Sequence, residues 1–126
     1  MKIDFDLGAH GNTRVSAYAA GCVTVGAVVY AHSVVLAPGH DAKPWPPQRF
    51  SDLAAEHFEM LAALGPEIVL VGTGRRLLFP AAETLAPLTA RRIGIEIMDT
   101  GAACRAYNFL LGEGRQVAAA LLMIDE

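Results

Sequence analysis

The chain has 126 residues, 53% of them hydrophobic and 18% charged, and a formal net charge of −3 at pH 7. One domain spanning 1–126 with a sizeable core is expected at this length, and intrinsic disorder is excluded by the composition. With no basic run longer than Arg75-Arg76 or Arg91-Arg92, nothing favours nucleic acid as a partner.

In chain order, residues 1–13 read as an irregular or edge-strand lead-in, punctuated by Gly8, Gly11 and Asn12. Val15-Ser16-Ala17-Tyr18, Cys22-Val23-Thr24-Val25, Ala27-Val28-Val29-Tyr30 and Ser33-Val34-Val35-Leu36-Ala37 are short strand candidates. The glycine turns between them suggest an antiparallel meander. The stretch 38–48 holds Pro38, Pro44, Pro46 and Pro47, and reads as a loop. Within it Trp45 either covers a cleft or caps the core beneath. Ser51 or Asp52 can cap a helix carrying Leu53, Phe58, Leu61 and Leu64 at helical spacing, which Gly65-Pro66 ends. Glu67-Ile68-Val69-Leu70-Val71 is a continuous apolar run of the kind that suits a parallel strand covered on both faces. A shorter helix is expected over 80–92, interrupted near Pro87, with Arg91-Arg92 in its last turn. The strand over 93–98 puts Ile93, Ile95 and Ile97 on one face and Gly94, Glu96 and Met98 on the other. Asp99 or Thr100 caps a third helix with Ala103, Ala106, Tyr107 and Leu110 inward, and a last strand covers 117–124. A β-rich first third followed by α-β-α-β-α-β implies right-handed crossovers and a sheet covered by helices.

Parallel packing would bring the ends of the 67–71 and 93–98 strands to one rim, where α/β proteins place ligands. Gly72-Thr73-Gly74 could present backbone N–H groups to an anion, with Arg75 and Arg76 adding charge; it is neither a dinucleotide fingerprint nor a P-loop, and a plain tight turn reads equally well. Glu96, a carboxylate in an apolar strand, is either a general base or one half of an internal ion pair with Arg75, Arg105 or Arg115. Thr100 and the first helical turn offer further N–H groups, and Arg105 and Asn108 share a helix face. Tyr107 and Asn108 can equally serve to bond nearby backbone. Cys104 near a helix start could have a lowered pKa, but no histidine accompanies it at a motif spacing. Cys22 and Cys104 match no metal-ligand spacing, and the four histidines form no ligand pair, so neither metal nor cofactor is expected. No apolar run approaches the roughly 18–20 residues of a membrane span. The start, Met1-Lys2-Ile3-Asp4-Phe5-Asp6, has no targeting pattern, so a cytoplasmic protein is expected.

Taken together, Val71-Gly72-Thr73-Gly74, Glu96-Ile97-Met98-Asp99-Thr100, Ala103-Cys104-Arg105-Ala106-Tyr107-Asn108-Phe109-Leu110 and Glu113-Gly114-Arg115-Gln116-Val117 closely resemble a small family of uncharacterised function. Its eukaryotic members include mitochondrial complex I assembly factor three and the adipogenesis-associated protein, and prokaryotes have stand-alone members. The resemblance implies a three-layer α/β fold: a central mixed sheet, helices on one side and a small antiparallel β layer on the other. It implies no established enzymatic activity, and it places Gly72, Gly74, Glu96, Thr100, Arg105, Tyr107, Asn108 and Arg115 around a pocket. Two functions remain open. One is a non-catalytic binding or assembly-type module, with a protein partner or a second copy of itself and a small-anion pocket at the sheet edge formed by Gly72, Thr73, Gly74, Arg75, Glu96, Thr100, Arg105 and Asn108. The other is a small-molecule enzyme acting on an anionic metabolite through Glu96 and Arg105.

Overall fold

The computed structural model describes residues 14–125, so the lead-in expected over 1–13 lies outside the described residues. Strands β1 (Val15–Ala19), β2 (Cys22–Val25) and β3 (Val28–Tyr30) form the expected antiparallel meander. Both of its turns need a left-handed residue, supplied by Gly21 at φ 79° and Gly26 at φ 61°. The remaining elements are β4 (Val34–Leu36), β5 (Lys43–Pro44), α1 (Ala55–Ala62), β6 (Ile68–Gly72), α2 (Ala82–Thr89), β7 (Gly94–Met98), α3 (Thr100–Gly112) and β8 (Val117–Leu121). The five strands among them make a mixed sheet in the order β5-β4-β8-β6-β7. β6 runs parallel to both β7 and β8, and β4 runs antiparallel to β8.

The crossover handedness decides where the helices go. The β6–α2–β7 connection steps outward by one strand, and the β7–α3–β8 connection steps back over β6. Right-handed crossovers in opposite directions must leave by opposite faces. α1 and α2 therefore cover one face, burying Phe58, Leu61 and Leu88 against Val69, Val71, Ala118 and Ala120. α3 covers the other together with the meander, burying Ala103, Cys104, Tyr107 and Leu111 among Val15, Val23, Leu70, Ala119 and Leu121. The result is a three-layer α/β fold whose third helix shares its side with the β layer. The central strand β8 is buried throughout. Its Ala118-Ala119-Ala120 run presents little volume on either face, which lets large rings such as Trp45 and Tyr107 fill both cores.

Several local expectations are corrected. Ser51 and Asp52 do not cap α1; they lie in a 3₁₀ turn, Phe50–Asp52, where Asp52 Oδ2 accepts the Gln48 and Arg49 N–H groups. The helix starts after Ala54, whose N–H is taken by His57 Nδ1 at 3.0 Å. Pro87 does not interrupt α2: the helix runs through it from Ala82 to Thr89, without the one hydrogen bond that the missing N–H would have made. Arg91 and Arg92 lie beyond that helix rather than in its last turn, and Arg92 takes the left-handed position at φ 58°. β8 stops at Leu121, with Ile124 rejoining as a lone bridge to Ala20.

Candidate functional site

The two glycine-and-threonine corners do meet. β6 and β7 pair in parallel through Gly72 and Met98, so residues 72–74 and 98–100 share one rim. Thr73 N–H donates to the Met98 carbonyl at 2.9 Å, and Thr100 N–H to the Gly74 carbonyl at 2.9 Å. The Thr100 hydroxyl accepts the Gly74 N–H at 2.8 Å and donates to the Leu122 carbonyl at 2.6 Å. Thr73 Oγ1 donates to the Arg76 carbonyl at 2.6 Å and accepts the Leu78 N–H at 3.2 Å. Gly72 permits the close approach: a Cβ there would lie 2.9 Å from Thr100 Oγ1 and 3.0 Å from Thr100 Cα. The Gly74 and Thr100 N–H groups expected to receive an anion are thus spent inside the corner. Asp99 is the N-cap of α3, its carboxylate taking the Ala102 N–H at 3.0 Å. Two residues on, at Gly101, a Cβ would come within 2.9 Å of the Tyr18 ring.

Glu96 is not buried. It is exposed on β7, an edge strand, and its carboxylate makes no hydrogen bond or ion pair among the described residues. The arginines expected to neutralise it are engaged elsewhere. Arg75 faces Asp125 at 3.8 Å, Arg115 Nε donates to Glu67 Oε1 at 3.0 Å, and Arg105 donates to the Tyr18 hydroxyl. The Arg115 guanidinium and the Gln116 N–H hold the exposed Glu67 carboxyl below the usual carboxylate range. No contact therefore joins Glu96 to Arg105, the pair on which an enzymatic reading rested.

Arg105 and Asn108 belong to a different place, the seam between α3 and β1. The Asn108 amide closes a two-bond ring with the strand, taking Val15 N–H at 2.9 Å and donating to the Val15 carbonyl at 2.7 Å. This satisfies the open edge of β1 and fastens the meander to the helix. Beside it runs a groove of about 520 Å³ lined by Arg14, Ser16, Tyr18, Cys104, Arg105 and Asn108. Tyr107, from the same motif, is a core residue with its ring fully buried.

Burial pushes the Cys104 thiol up to about 12, against an opposing pull from the Arg105 guanidinium and a further push from Asp99. Its place near a helix start does not activate it, because burial disfavours the thiolate. Above the ordinary value of 9.0 the unfolded thiol ionises while the folded one keeps its proton until about 12. The unfolded state then binds fewer protons, so stability falls as pH rises through this window. The expected slope is up to about 1.4 kcal/mol per pH unit, and Cys104→Ala should remove it. Urea titrations of both proteins at pH 7, 9 and 10.5 check this; equal slopes would refute it.

Sequence reasoning missed Tyr18 and Arg14 on the α3 seam, and Arg49 beside the corner, where Arg75 and Arg76 were already expected to add charge. For Tyr18 a signal existed: glycine at 101, inside a helix, marks a close neighbour. Among the described residues no group of three or more His, Cys, Asp or Glu is placed to hold a metal ion, and no helix is long and apolar enough to cross a membrane.

The geometry defines a three-layer α/β protein whose strand-end corner is locked by its own backbone and two threonine hydroxyls and whose polar helix motif binds one layer to another. The chain belongs to the family described as "Protein of unknown function (DUF498/DUF598)", which matches residues 15–122. It is 36% identical to human NADH dehydrogenase [ubiquinone] 1 alpha subcomplex assembly factor 3 over 66% of this chain and 46% of the relative. The chain spans about half the length of the curated relatives it first matches. A Bordetella parapertussis crystal structure superposes with TM-score 0.83 at 43% identity, covering 87% of this chain and 94% of that one. The solution structure of a Bordetella pertussis protein, a Mth938-like domain, gives TM-score 0.84 at 35% identity, covering 100% and 94%. The family thus includes an assembly factor, consistent with a non-catalytic module, and the fold is that of these solved bacterial proteins.

Proposed function

We propose that the chain is a non-catalytic binding module of the assembly type, presenting a rigid surface to a protein partner or to a second copy of itself. The observation that carries this reading is how the polar motif is used. Thr73, Thr100 and Asn108 make bonds that hold layers and loops together, and none is paired with an activated base or nucleophile. At the same time large apolar side chains stand in solvent: Phe79 is 71% exposed and Phe109 67%. Such residues serve as anchors when a partner covers them. An assembly factor among the relatives supports the same reading.

Size-exclusion chromatography with light scattering, on protein purified gently from its native host, tests it. The wild type is expected to run as a defined assembly, either with itself or with one stoichiometric partner. Phe79→Ser with Phe109→Ser should weaken that assembly at least about tenfold without loss of fold, as removal of aromatic anchors does. A strict monomer that retains nothing at any concentration would overturn the reading.

A further inference from the structure

A second opening lies on the same rim as the locked corner, and it is rich in cations. The loop that follows β6 meets the loop that precedes α1 around a cleft of about 140 Å³, lined in part by Arg49, Phe50, Thr73, Arg75, Arg76 and Asp125. Among the described residues its lining carries three guanidinium groups and one carboxylate. Arg75 lies 3.8 Å from Asp125, with both side chains largely in solvent. The side chains of Arg49 and Arg76 have no hydrogen bond or ion pair with any described residue. Asp52 does not line the cleft; its Oδ2 is turned onto the Gln48 and Arg49 N–H groups. Three like charges brought to one cleft repel one another unless an anion completes the set. The loop also leaves donors to spare: the Arg75 and Arg76 N–H groups bond to no described acceptor.

Position and size narrow the ligand. The cleft lies just beyond the paired carboxyl ends of β6 and β8, lined by Thr73 to Arg76 and by Leu122, Met123 and Asp125, and the carboxyl end of the strands is where open α/β sheets place ligands. A volume of about 140 Å³ holds several waters at roughly 30 Å³ each but falls short of the 300–1,000 Å³ or so of a drug-sized site. A guanidinium fork pairs with carboxylate and phosphate alike, but three of them around one ligand call for the three or more oxygens of a phosphate rather than the two of a carboxylate.

We propose that this cleft binds a phosphate group, carried by a small monoester or as the free ion, with Arg49, Arg75 and Arg76 dividing its oxygens. The site is independent of the protein-docking reading, and either can fail while the other stands. The test is an amide-resonance titration of the whole chain at constant ionic strength, with inorganic phosphate, glycerol 3-phosphate and chloride as probes. Saturable shifts confined to residues 73–78, 49–50 and 122–125 are expected with both phosphates and not with chloride. Equal affinities would identify the free ion as sufficient, and a tighter monoester would identify a phosphorylated metabolite as the better ligand; both support the site. Arg49→Ala with Arg76→Ala should weaken binding at least tenfold while the spectrum stays dispersed, and Asp125→Asn, which removes the competing carboxylate, should tighten it roughly two- to fivefold. Shifts that chloride reproduces, that never saturate, or that survive in the double arginine variant would overturn the proposal.

Discussion

Trp45→Ala is expected to cost about 3–5 kcal/mol of stability, the range for removing a large buried ring. Trp45 is 1% exposed. Its ring meets Phe58 of α1 edge-on, with centroids 5.8 Å apart, and its Nε1 donates to the His57 carbonyl at 3.2 Å. Its own N–H is fixed to the Ser33 carbonyl at 2.9 Å, so the indole is pinned between the sheet and α1. The surrounding chain cannot collapse to fill the hole, because Pro44, Pro46 and Pro47 fix its backbone. Trp45→Phe should cost less, roughly 1–3 kcal/mol, since it keeps an aromatic edge contact and loses volume and one hydrogen bond. Urea unfolding followed by circular dichroism separates these values. The sequence left open whether this side chain covers a cleft or caps the core. A lid could be trimmed almost without loss of stability, so an alanine variant within 1 kcal/mol or so of wild type would reinstate that alternative.

How much was legible depended on the range of the interaction. The β6 strand could be read from Ile68-Val69-Leu70-Val71, since an unbroken apolar run means both faces are covered. β7 carried a different message that went unused. Ile95 and Ile97 alternate with Gly94 and Glu96, the pattern of a strand with one face partly in water, and β7 is indeed an edge. Reading that alternation as burial is what made Glu96 look like an internal charge. The side on which α3 packs was implicit in strand order and crossover handedness, but strand order is not written in any local stretch.

The site shows the same division. That residues 72–74 and 98–100 share a rim followed from two parallel strands alone. What fills the rim did not, because the partners are far apart in the chain: Gly74 and Thr100 by 26 residues, Thr100 and Leu122 by 22, Val15 and Asn108 by 93. A threonine after a strand reads identically whether its hydroxyl meets a ligand or a distant carbonyl. Arg49 and Arg76 were invisible as a pair for a similar reason. Only the packing of α1 onto the sheet brings the loop before it to the end of β6.

Thr100→Val should therefore destabilise the protein by about 2–4 kcal/mol, although it keeps the shape of the side chain. The hydroxyl is fully buried and serves two backbone groups at once, accepting from Gly74 N–H and donating to the Leu122 carbonyl. Valine supplies neither bond, and a buried polar group left without a partner costs about 1–3 kcal/mol. Thr100→Ser retains both bonds and loses one methyl, so its cost should stay near 1 kcal/mol. The Gly74 amide should also exchange with solvent faster in the valine variant, relative to amides in β8, which would locate the damage at the corner. Gly72→Ala attacks the same contact from the other side, since its new methyl would press on Thr100 Oγ1 and Cα. If the two changes break one interaction, the double variant will be markedly more stable than the sum of the single losses predicts. Simple additivity, or a valine variant within about 1 kcal/mol of wild type, would mean that the corner is held by something other than this hydroxyl, and that its N–H groups are free to meet a ligand after all.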